Sequence, residues 1–286
     1  EAEVSAPGQV TAPAHTLYDI ARKLPDGSQV VLQINADDRL DIDAGRSHFT
    51  LPLLPSGDFP KMTADGFTHE FQITAAGFSR LIDKTKLASS PEETRDYLNG
   101  IYMHAHNGKL RCVATDGHRL ARIQLKAPSG SEGMSQIIVP RKAVGEIQKL
   151  VEDPEATATI EVSETKLRIT VGSVIITTKL IDGTFPDYNR VIPEGNDREL
   201  KMDRSSFAAA VDRVSTISSE RGRAVKLAIS DGQVILSVNN PESGSATEEI
   251  AVGYGSEAME IGFNSRYLLD ITNQLVGDDT TFMLAD

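Results

Sequence analysis

Three residues in one short stretch offer groups that could do chemistry. Thr115, Asp116 and His118 supply a hydroxyl, a carboxylate and an imidazole within four positions of the chain. Neighbouring residues on a turn do not give the geometry in which one group orients a base against a nucleophile, and the chain has no GxSxG motif. A Thr-Asp-Gly turn that closes a strand fits these residues better. We therefore predict no catalytic residues.

Two histidines and an acidic run are the candidates for a metal site. His104 and His106 stand two apart on one face of a predicted strand, but no third ligand of matching spacing is visible. We interpret them as a surface pair. The run from Glu242 to Glu249 lacks the alternating ligands and central glycine of a calcium loop, which favours a solvated loop. Without a P-loop or GxGxxG motif, the sequence predicts no metal, cofactor or nucleotide chemistry.

Composition narrows the class of protein. The 286 residues are 40% hydrophobic and 24% charged, which predicts two or three ordinary globular domains. The only cysteine, Cys112, excludes a disulfide framework, and no apolar run approaches the roughly 18 residues that span a membrane. We expect a cytoplasmic protein with no membrane partner. The net charge of −12 argues at face value against binding nucleic acid.

A pattern of helix followed by strands occurs more than once. Six positions near the start are matched by residues 127 positions later, namely Pro13–Pro140, Leu17–Val144, Asp19–Glu146, Ile20–Ile147, Leu40–Leu167 and Gly45–Gly172. The first stretch continues to a GDFP string that ends at Pro60. A third start begins at Asn264, 124 residues after Pro140.

A second element, a short strand that runs into an amphipathic helix, repeats 129 residues apart. Phe71, Ile73 and Phe78 in the first copy match Leu200, Met202 and Phe207 in the second. Alternating strands joined by two-residue turns, such as Asn107–Gly108 and Asp231–Gly232, separate the helices. The sequence therefore predicts an α+β fold of repeated domains of about 125 residues, each with two helices and antiparallel hairpins.

Positive charge is concentrated in the predicted helices. The helices at 13–24, 75–87, 140–151, 204–215 and 264–275 carry a net charge of +6, so the remaining residues carry −18. Such segregation suits a protein whose helices face phosphates while its sheets face solvent. The plain alternative is that lysine and arginine suit helices and acidic residues suit turns.

Several short strings identify a family. Residues 114–121, ATDGHRLA, resemble the signature of the bacterial sliding clamps, the beta subunits of DNA polymerase III. YLNG, which precedes that string, and VPRK, FPDYNRVIP, NNPE and GFNSRYLLD, which come after it, occur in the order and spacing of that family. The resemblance covers nearly the whole chain.

The resemblance implies a fold and an assembly. Each subunit has three similar clamp domains, and two subunits close head to tail around duplex DNA with helices lining the hole and antiparallel sheets on the outer face. The domains here would be a partial first domain at 1–66, a complete central domain at 67–192 and a truncated third domain at 193–286. The chain would then be a non-catalytic processivity factor.

The resemblance also implies three sets of site residues. A groove for peptides of the polymerase III catalytic subunit, the clamp loader and other proteins with clamp-binding motifs would comprise Leu98, Thr115, Gly117, His118, Arg119, Leu120, Pro186, Arg190 and Val191. Family positions near the hole are Arg95, Tyr97, Arg141 and Lys142, and helix placement adds Arg22, Lys23, Lys84 and Lys86. The homodimer interface would use Phe49, Leu51, Thr216 and Ile217. Asp96 and His15 depart from the aromatic and the arginine that are frequent in the family, which weakens direct DNA contact.

Two other classes remain open at this stage. A nucleic-acid enzyme or hydrolase on repeated α+β domains would require clustered carboxylates of raised pKa in a cleft. A protein-binding scaffold would use the same groove without affinity for DNA.

Overall fold

The computed structural model describes residues 3–59, 62, 66–151, 153–219 and 222–285. The chain forms two compact units, residues 1–64 and 65–286. No helix among the described residues is long and apolar enough to cross a membrane. Pro60, the last residue of the repeated GDFP string, lies outside the described residues.

The first unit is one helix with a three-stranded antiparallel sheet of order β1–β2–β3. Its elements are α1 (Ala14–Ala21), β1 (Val30–Ile34), β2 (Arg39–Ala44) and β3 (Ser47–Pro52). Leu40, Ile42 and Leu51 form its small core, with Leu17 and Ile20 of α1 packed against them. Strands β1 and β3 are the two edges of this sheet.

The second unit repeats one arrangement of a strand, a helix and three further strands. The first copy is β4 (His69–Thr74), α2 (Ala75–Asp83), β5 (Gly100–His106), β6 (Lys109–Thr115) and β7 (Leu120–Lys126). The second copy is β8 (Ile137–Pro140), α3 (Arg141–Leu150), β9 (Thr157–Val162), β10 (Lys166–Val171) and β11 (Val174–Lys179). The third is β12 (Arg198–Asp203), α4 (Arg204–Ser215), β13 (Ala224–Ser230), β14 (Gln233–Asn240) and β15 (Gly244–Ala251). A fourth, shorter copy is β16 (Met259–Asn264), α5 (Ser265–Thr272) and β17 (Asp279–Leu284).

Consecutive copies exchange their first strands. The sheets have the orders β7–β6–β5–β8 and β11–β10–β9–β4, so β8 joins the sheet of the first copy and β4 joins that of the second. Copies three and four repeat this exchange in the sheets β15–β14–β13–β16 and β12–β17. All of these pairings are antiparallel, which agrees with the predicted α+β fold of repeated domains.

The helices form where a cap precedes an apolar stripe. The side chain of Thr74 accepts a hydrogen bond from the backbone of Gly77 (3.1 Å) at the start of α2, and Asp203 accepts one from Ser206 (2.7 Å) at the start of α4. Each helix buries its apolar stripe in a hydrophobic core. The central core contains Phe78 and Leu81 of α2 and Val144 and Ile147 of α3, and the other core contains Phe207, Ala210, Val211 and Val214 of α4.

One predicted loop is a strand. Residues 244–251 form β15, the edge of its sheet, so the interpretation of the run from Glu242 to Glu249 as a solvated loop is wrong for most of its length. The acidic side chains are compatible with a strand because β15 is an edge strand, on which Glu249 stays exposed to solvent. Glu248 pairs with Arg213 of α4.

Candidate functional site

The turn between β6 and β7 is closed by its own side chains. The hydroxyl of Thr115 donates to the carbonyl of Arg119 (2.7 Å) and accepts from the backbone N–H of Gly117 (3.1 Å). The carboxylate of Asp116 accepts from the backbone N–H groups of His118 (2.9 Å) and Arg119 (3.0 Å). Gly117 has φ +90°, a conformation that favours glycine. These contacts give Asp116 and Thr115 a structural role, as the turn interpretation predicts.

Arg119 joins this turn to helix α5. Its Nε contacts Asp116 (3.2 Å), and its Nη1 donates to the carboxylate of Asp270 (2.6 Å). Its Nη2 donates to the carbonyl of Leu87 (2.6 Å), and the guanidinium lies 4.3 Å from the ring centre of Tyr267. The resemblance implies that Arg119 is a groove residue, and here its guanidinium donors are engaged within the protein. Asp270 and Tyr267 lie in the GFNSRYLLD string, but no local pattern indicates that they meet Arg119.

An apolar surface lies on the face of sheet β7–β6–β5–β8 that points away from the central core. We call this face the outer face. Buried Leu98 packs there with Val113 and Ile138, and Leu120 packs against them at the side. The same cluster contains Phe185 and Tyr188, which were not predicted; of the predicted groove residues it brings together Leu98 and Leu120.

A covering segment, residues 184–189, crosses the outer face. Phe185 stacks in parallel on Tyr102 with ring centres 4.6 Å apart, and the hydroxyl of Tyr188 hydrogen-bonds with Nε2 of His104 (3.1 Å). The covering segment therefore buries His104, and the interpretation of His104 and His106 as a surface pair is wrong for the first of them. Burial lowers the pKa of His104, and neighbouring charge on Arg111 and His106 lowers it further.

The remaining groove residues project from the covering segment and the turn that follows it. Pro186 is exposed, and a 3₁₀ turn at Tyr188–Val191 begins with Asp187 as its cap. Val191 is 65% exposed, and Arg190, whose side chain is 85% exposed, pairs with Asp187 at 3.2 Å. A shallow cleft runs along residues 189–194. These side chains form an apolar rim with one cation.

The cationic helix residues of the second unit lie close together. Lys86 donates to the side chain of Gln148 on α3 (2.9 Å), and Lys84 donates to the carbonyl of Gln274, just after α5. Helices α2 and α3 are therefore neighbours, and the end of α2 reaches the end of α5. Lys84 and Lys86 follow the end of α2, so their positive charge lies where α2 meets α3 and the segment after α5.

The loop before β5 and the start of α3 hold the other DNA-facing candidates. Arg95 pairs with Glu92 (2.7 Å), and Tyr97 packs at the edge of the apolar cluster. Arg141 is exposed and donates to the carbonyl of Ser89 (3.2 Å). Lys142 is exposed one residue later on α3. In the first unit, the helix-based candidates Arg22 and Lys23 are exposed at the end of α1, and Arg22 pairs with Asp19 (2.9 Å).

The four predicted interface residues lie at strand edges and a helix end. Phe49 is half-buried on edge strand β3, and Leu51 of the same strand is buried in the small core of the first unit. Thr216 caps α4 at its end. Ile217 packs against the core of the third and fourth copies, and its carbonyl accepts from Asn240 (3.1 Å).

The residues described here hold no candidate metal centre. Among them, no group of three or more histidine, cysteine or carboxylate side chains is placed to hold a metal ion. Cys112 is fully buried in the central core, and burial raises the pKa of its thiol far above the usual range.

Comparison with known proteins identifies the family. The DNA polymerase III beta subunit matches in its N-terminal domain over residues 1–63, its central domain over residues 72–187 and its C-terminal domain over residues 189–286. The beta sliding clamp of Caulobacter vibrioides is 52% identical over the whole chain, which covers 78% of that protein. The chain belongs to the bacterial beta sliding clamp family. It is a DNA polymerase processivity factor.

Other clamps agree in sequence and structure. The beta sliding clamp of Escherichia coli (strain K12) is 37% identical over 98% of this chain and 76% of its own length. The crystal structure of a sliding clamp from Bartonella birtlesii, bound to griselimycin, has a TM-score of 0.95 and 55% identity. The match covers 99% of this chain and 77% of that one. The division into domains at 1–66, 67–192 and 193–286 stays a prediction.

Proposed function

We propose that this clamp encircles duplex DNA as a head-to-tail ring of two chains in the bacterial cytoplasm. It docks the polymerase III catalytic subunit, the clamp loader and other proteins with clamp-binding motifs through one groove. It catalyses no reaction and needs no cofactor. The observation that carries the proposal is the apolar surface on which Leu98 and Leu120 meet the covering segment beside exposed Pro186 and Val191.

The chemistry of this surface suits a short peptide with apolar side chains. Burying one leucine-sized side chain contributes about 1.5–3 kcal/mol, so two anchors contribute about 3–6 kcal/mol. A micromolar complex requires about 8 kcal/mol after the entropy of binding is subtracted, so further contacts along the groove must supply the rest. At the border of this surface, Gly117 has no side chain and leaves its backbone accessible, and Pro186 restricts the backbone of the covering segment. Arg190 supplies an exposed cation at the rim. We place Thr115, His118 and Arg119 at the opposite border of the groove, where Arg119 stabilises the turn between β6 and β7 through its contact with Asp116.

Contact with DNA would be made by the helix cations. Lys84, Lys86, Arg95, Arg141 and Lys142 extend from neighbouring helices and the loop before β5, and Tyr97 lies beside them. Several of these cations already pair with carboxylates or carbonyls, which weakens any one phosphate contact. Weak, exchangeable and water-mediated contacts are what a ring needs in order to slide. In the first unit, Arg22 and Lys23 of α1 would have the same role.

Ring closure would use strand edges. Strand β3 is an edge of the first unit, and β15 is an edge of its own sheet in the second. An unpaired edge is a template for a strand from another chain. Phe49 would supply the apolar contact from one subunit and Ile217 from the next, flanked by Leu51 and Thr216.

Peptide binding tests the groove. We expect a fluorescent peptide from the tail of the polymerase III catalytic subunit to bind the full-length protein saturably in fluorescence polarisation. Leu120→Asp and Val191→Asp each place a carboxylate in the apolar surface and should weaken binding at least about tenfold. The matched control is Val174→Asp, because Val174 is 50% exposed on β11, in the other sheet. Equal weakening by the control, or none by the two groove variants, would show that the peptide binds elsewhere.

A further inference from the structure

The outer face continues past the covering segment as a cationic surface. Strands β6 and β7 present four positive side chains there, which we call the cationic patch: Lys109, Arg111, Arg122 and Lys126. Arg111 and Arg122 share the face of Val113, because Arg111 is opposite Gln124 and Val113 is opposite Arg122 in the pairing of the two strands. All except Arg111 are exposed, and Arg111 is partly exposed.

Among the described residues, these cations lack the acidic partners that several other sheet cations have. Elsewhere in the second unit Arg168 of β10 pairs with Glu161, Lys201 of β12 with Glu199 and Lys226 of β13 with Glu260. Within the part of the chain that the structure describes, no carboxylate forms an ion pair with a member of the patch. Arg111 donates only to the amide oxygen of Gln124 (3.1 Å).

The arrangement carries an electrostatic cost that an anion would remove. Lys109 and Lys126 are directly opposite in the antiparallel pair, and like charges in that position are destabilising. A concentration of unpaired positive charge in a chain of net charge −12 also creates a local field that attracts an acidic ligand.

A cavity borders both the cationic patch, at Arg111, and the proposed groove, at Pro186. It has a volume of about 570 Å³ and lies between β5, β6 and the covering segment. Arg111, Tyr102 and His104 line it from the sheet, and Tyr188 and Pro186 line it from the covering segment. Pro186 is also a residue of the proposed groove. The one carboxylate in the lining, Asp187, already pairs with Arg190.

We propose that the cationic patch and its cavity bind an acidic segment of the same partner peptide that occupies the groove. This inference rests on the proposed function. Along β7, Arg122 is two residues from Leu120 and Lys126 is six, which correspond to about 7 Å and about 20 Å of strand. The segment's aspartates or glutamates therefore lie within about two to six residues of the groove-bound motif. Partners that carry them bind more tightly than partners that do not.

Continuity with the groove favours a peptide over a nucleic acid. The proposed DNA-facing cations lie on helices and on the loop before β5, whereas the patch lies on a sheet face that it shares with Val113 of the apolar cluster. A single-stranded oligonucleotide is the competing ligand, because aromatic side chains and cations also suit stacked bases. The experiment includes both.

The test compares extended peptides on the full-length protein. The groove-binding peptide is lengthened at one end or the other by a six-residue extension that contains either four glutamates or four serines. The Kd of each peptide is measured by fluorescence polarisation at low and at high salt. We expect the glutamate extension at one end to tighten binding about three- to tenfold at low salt, because its glutamates form several exposed charge pairs with the cationic patch. High salt should reduce the gain.

Paired variants locate the effect. Arg111→Gln with Arg122→Gln should remove the gain and leave the affinity for the unextended peptide unchanged, which also shows that the variant is folded. Lys201→Gln with Lys226→Gln removes the same charge from other sheets and should keep the gain. A glutamate extension without gain at either end, while the unextended peptide binds, would overturn this inference alone.

Two further outcomes are decisive. If the unextended peptide itself fails to bind, the proposed groove fails and this inference fails with it. If a fluorescent single-stranded oligonucleotide binds in a manner that depends on Arg111 and Arg122 while the glutamate extension has no effect, the patch is a nucleic-acid site and the acidic-peptide proposal is wrong.

Discussion

At the scale of single residues, Arg119 connects parts of the chain that are far apart in sequence. Its side chain is 14% exposed, and it contacts Asp116, Asp270, Tyr267 and the carbonyl of Leu87. Asp270 lies 151 residues away. Since the planar guanidinium makes several directed contacts at once, lysine cannot replace it.

We expect Arg119→Ala to lower the free energy of unfolding by about 2–4 kcal/mol, because it leaves the largely buried carboxylate of Asp116 without its cation. Arg119→Lys should recover less than half of that loss. Urea denaturation, followed by circular dichroism, measures both.

Arg190→Ala is the control for this prediction. Arg190 also pairs with an aspartate three positions away, but its side chain is 85% exposed, so its removal should change stability by no more than about 0.5 kcal/mol. Equal losses for the two alanine variants would contradict the connecting role of Arg119.

The residue scale also shows what sequence can and cannot predict. The turn at Thr115–Leu120 was predictable because its hydrogen bonds join residues within four positions. The burial of His104 was not, since the segment that covers it follows about 80 residues later, and nothing on β5 indicates that a tyrosine will reach it. Likewise, only once the strands are in register is it visible that Arg111 lies opposite Gln124 and that no carboxylate among the described residues pairs with it.

At the scale of elements, the exchange of first strands between copies depends on close backbone contact. Gly100 begins β5 opposite Pro140, and a Cβ at Gly100 would lie 2.4 Å from the carbonyl oxygen of Val139. Only backbone atoms could move to relieve that contact. The glycine is therefore part of the pairing of β5 with β8.

Two glycine-to-alanine substitutions test this account with opposite signs. We expect Gly100→Ala to destabilise the protein by about 1–3 kcal/mol because it forces β5 and β8 apart. Gly145→Ala, on the exposed face of α3 where nothing lies within 4 Å, should stabilise it by about 0.4–1 kcal/mol because alanine restricts the unfolded chain and favours the helix.

Thermal and urea unfolding of both variants provide the measurement. A neutral Gly100→Ala would mean that the β5–β8 edge tolerates a side chain, and the strand exchange would then not depend on this position.

The periodic patterns predicted the elements well. All five helices form at the predicted places, although α1 ends at Ala21 and not at 24, α2 at Asp83 and not at 87, and α5 at Thr272 and not at 275. The hairpin at Asn107–Gly108 has positive φ at both residues, as its sequence predicts. The strand β15 was missed because its glycine, serine, alanine and glutamates resemble a loop; pairing with β14 decides its conformation.

At the scale of the whole molecule, charge is sorted by element and face. The predicted helices carry +6 within a chain of −12, and the helices of the second unit lie as neighbours. An acidic exterior limits binding of DNA in the wrong place, while weak cations on helices permit sliding. The cationic patch is a local exception on a sheet face, and we assign it to a protein partner.

The most direct test of the central claim is processivity. Primer extension on a long single-primed template, with the polymerase III catalytic subunit, the clamp loader and a trap that prevents rebinding, measures the product length of one binding event. We expect the full-length protein to lengthen the products by at least about tenfold and Leu120→Asp to abolish that gain while Val174→Asp retains it. Products of equal length with and without the protein would contradict the account of this chain as a clamp that holds a polymerase on DNA.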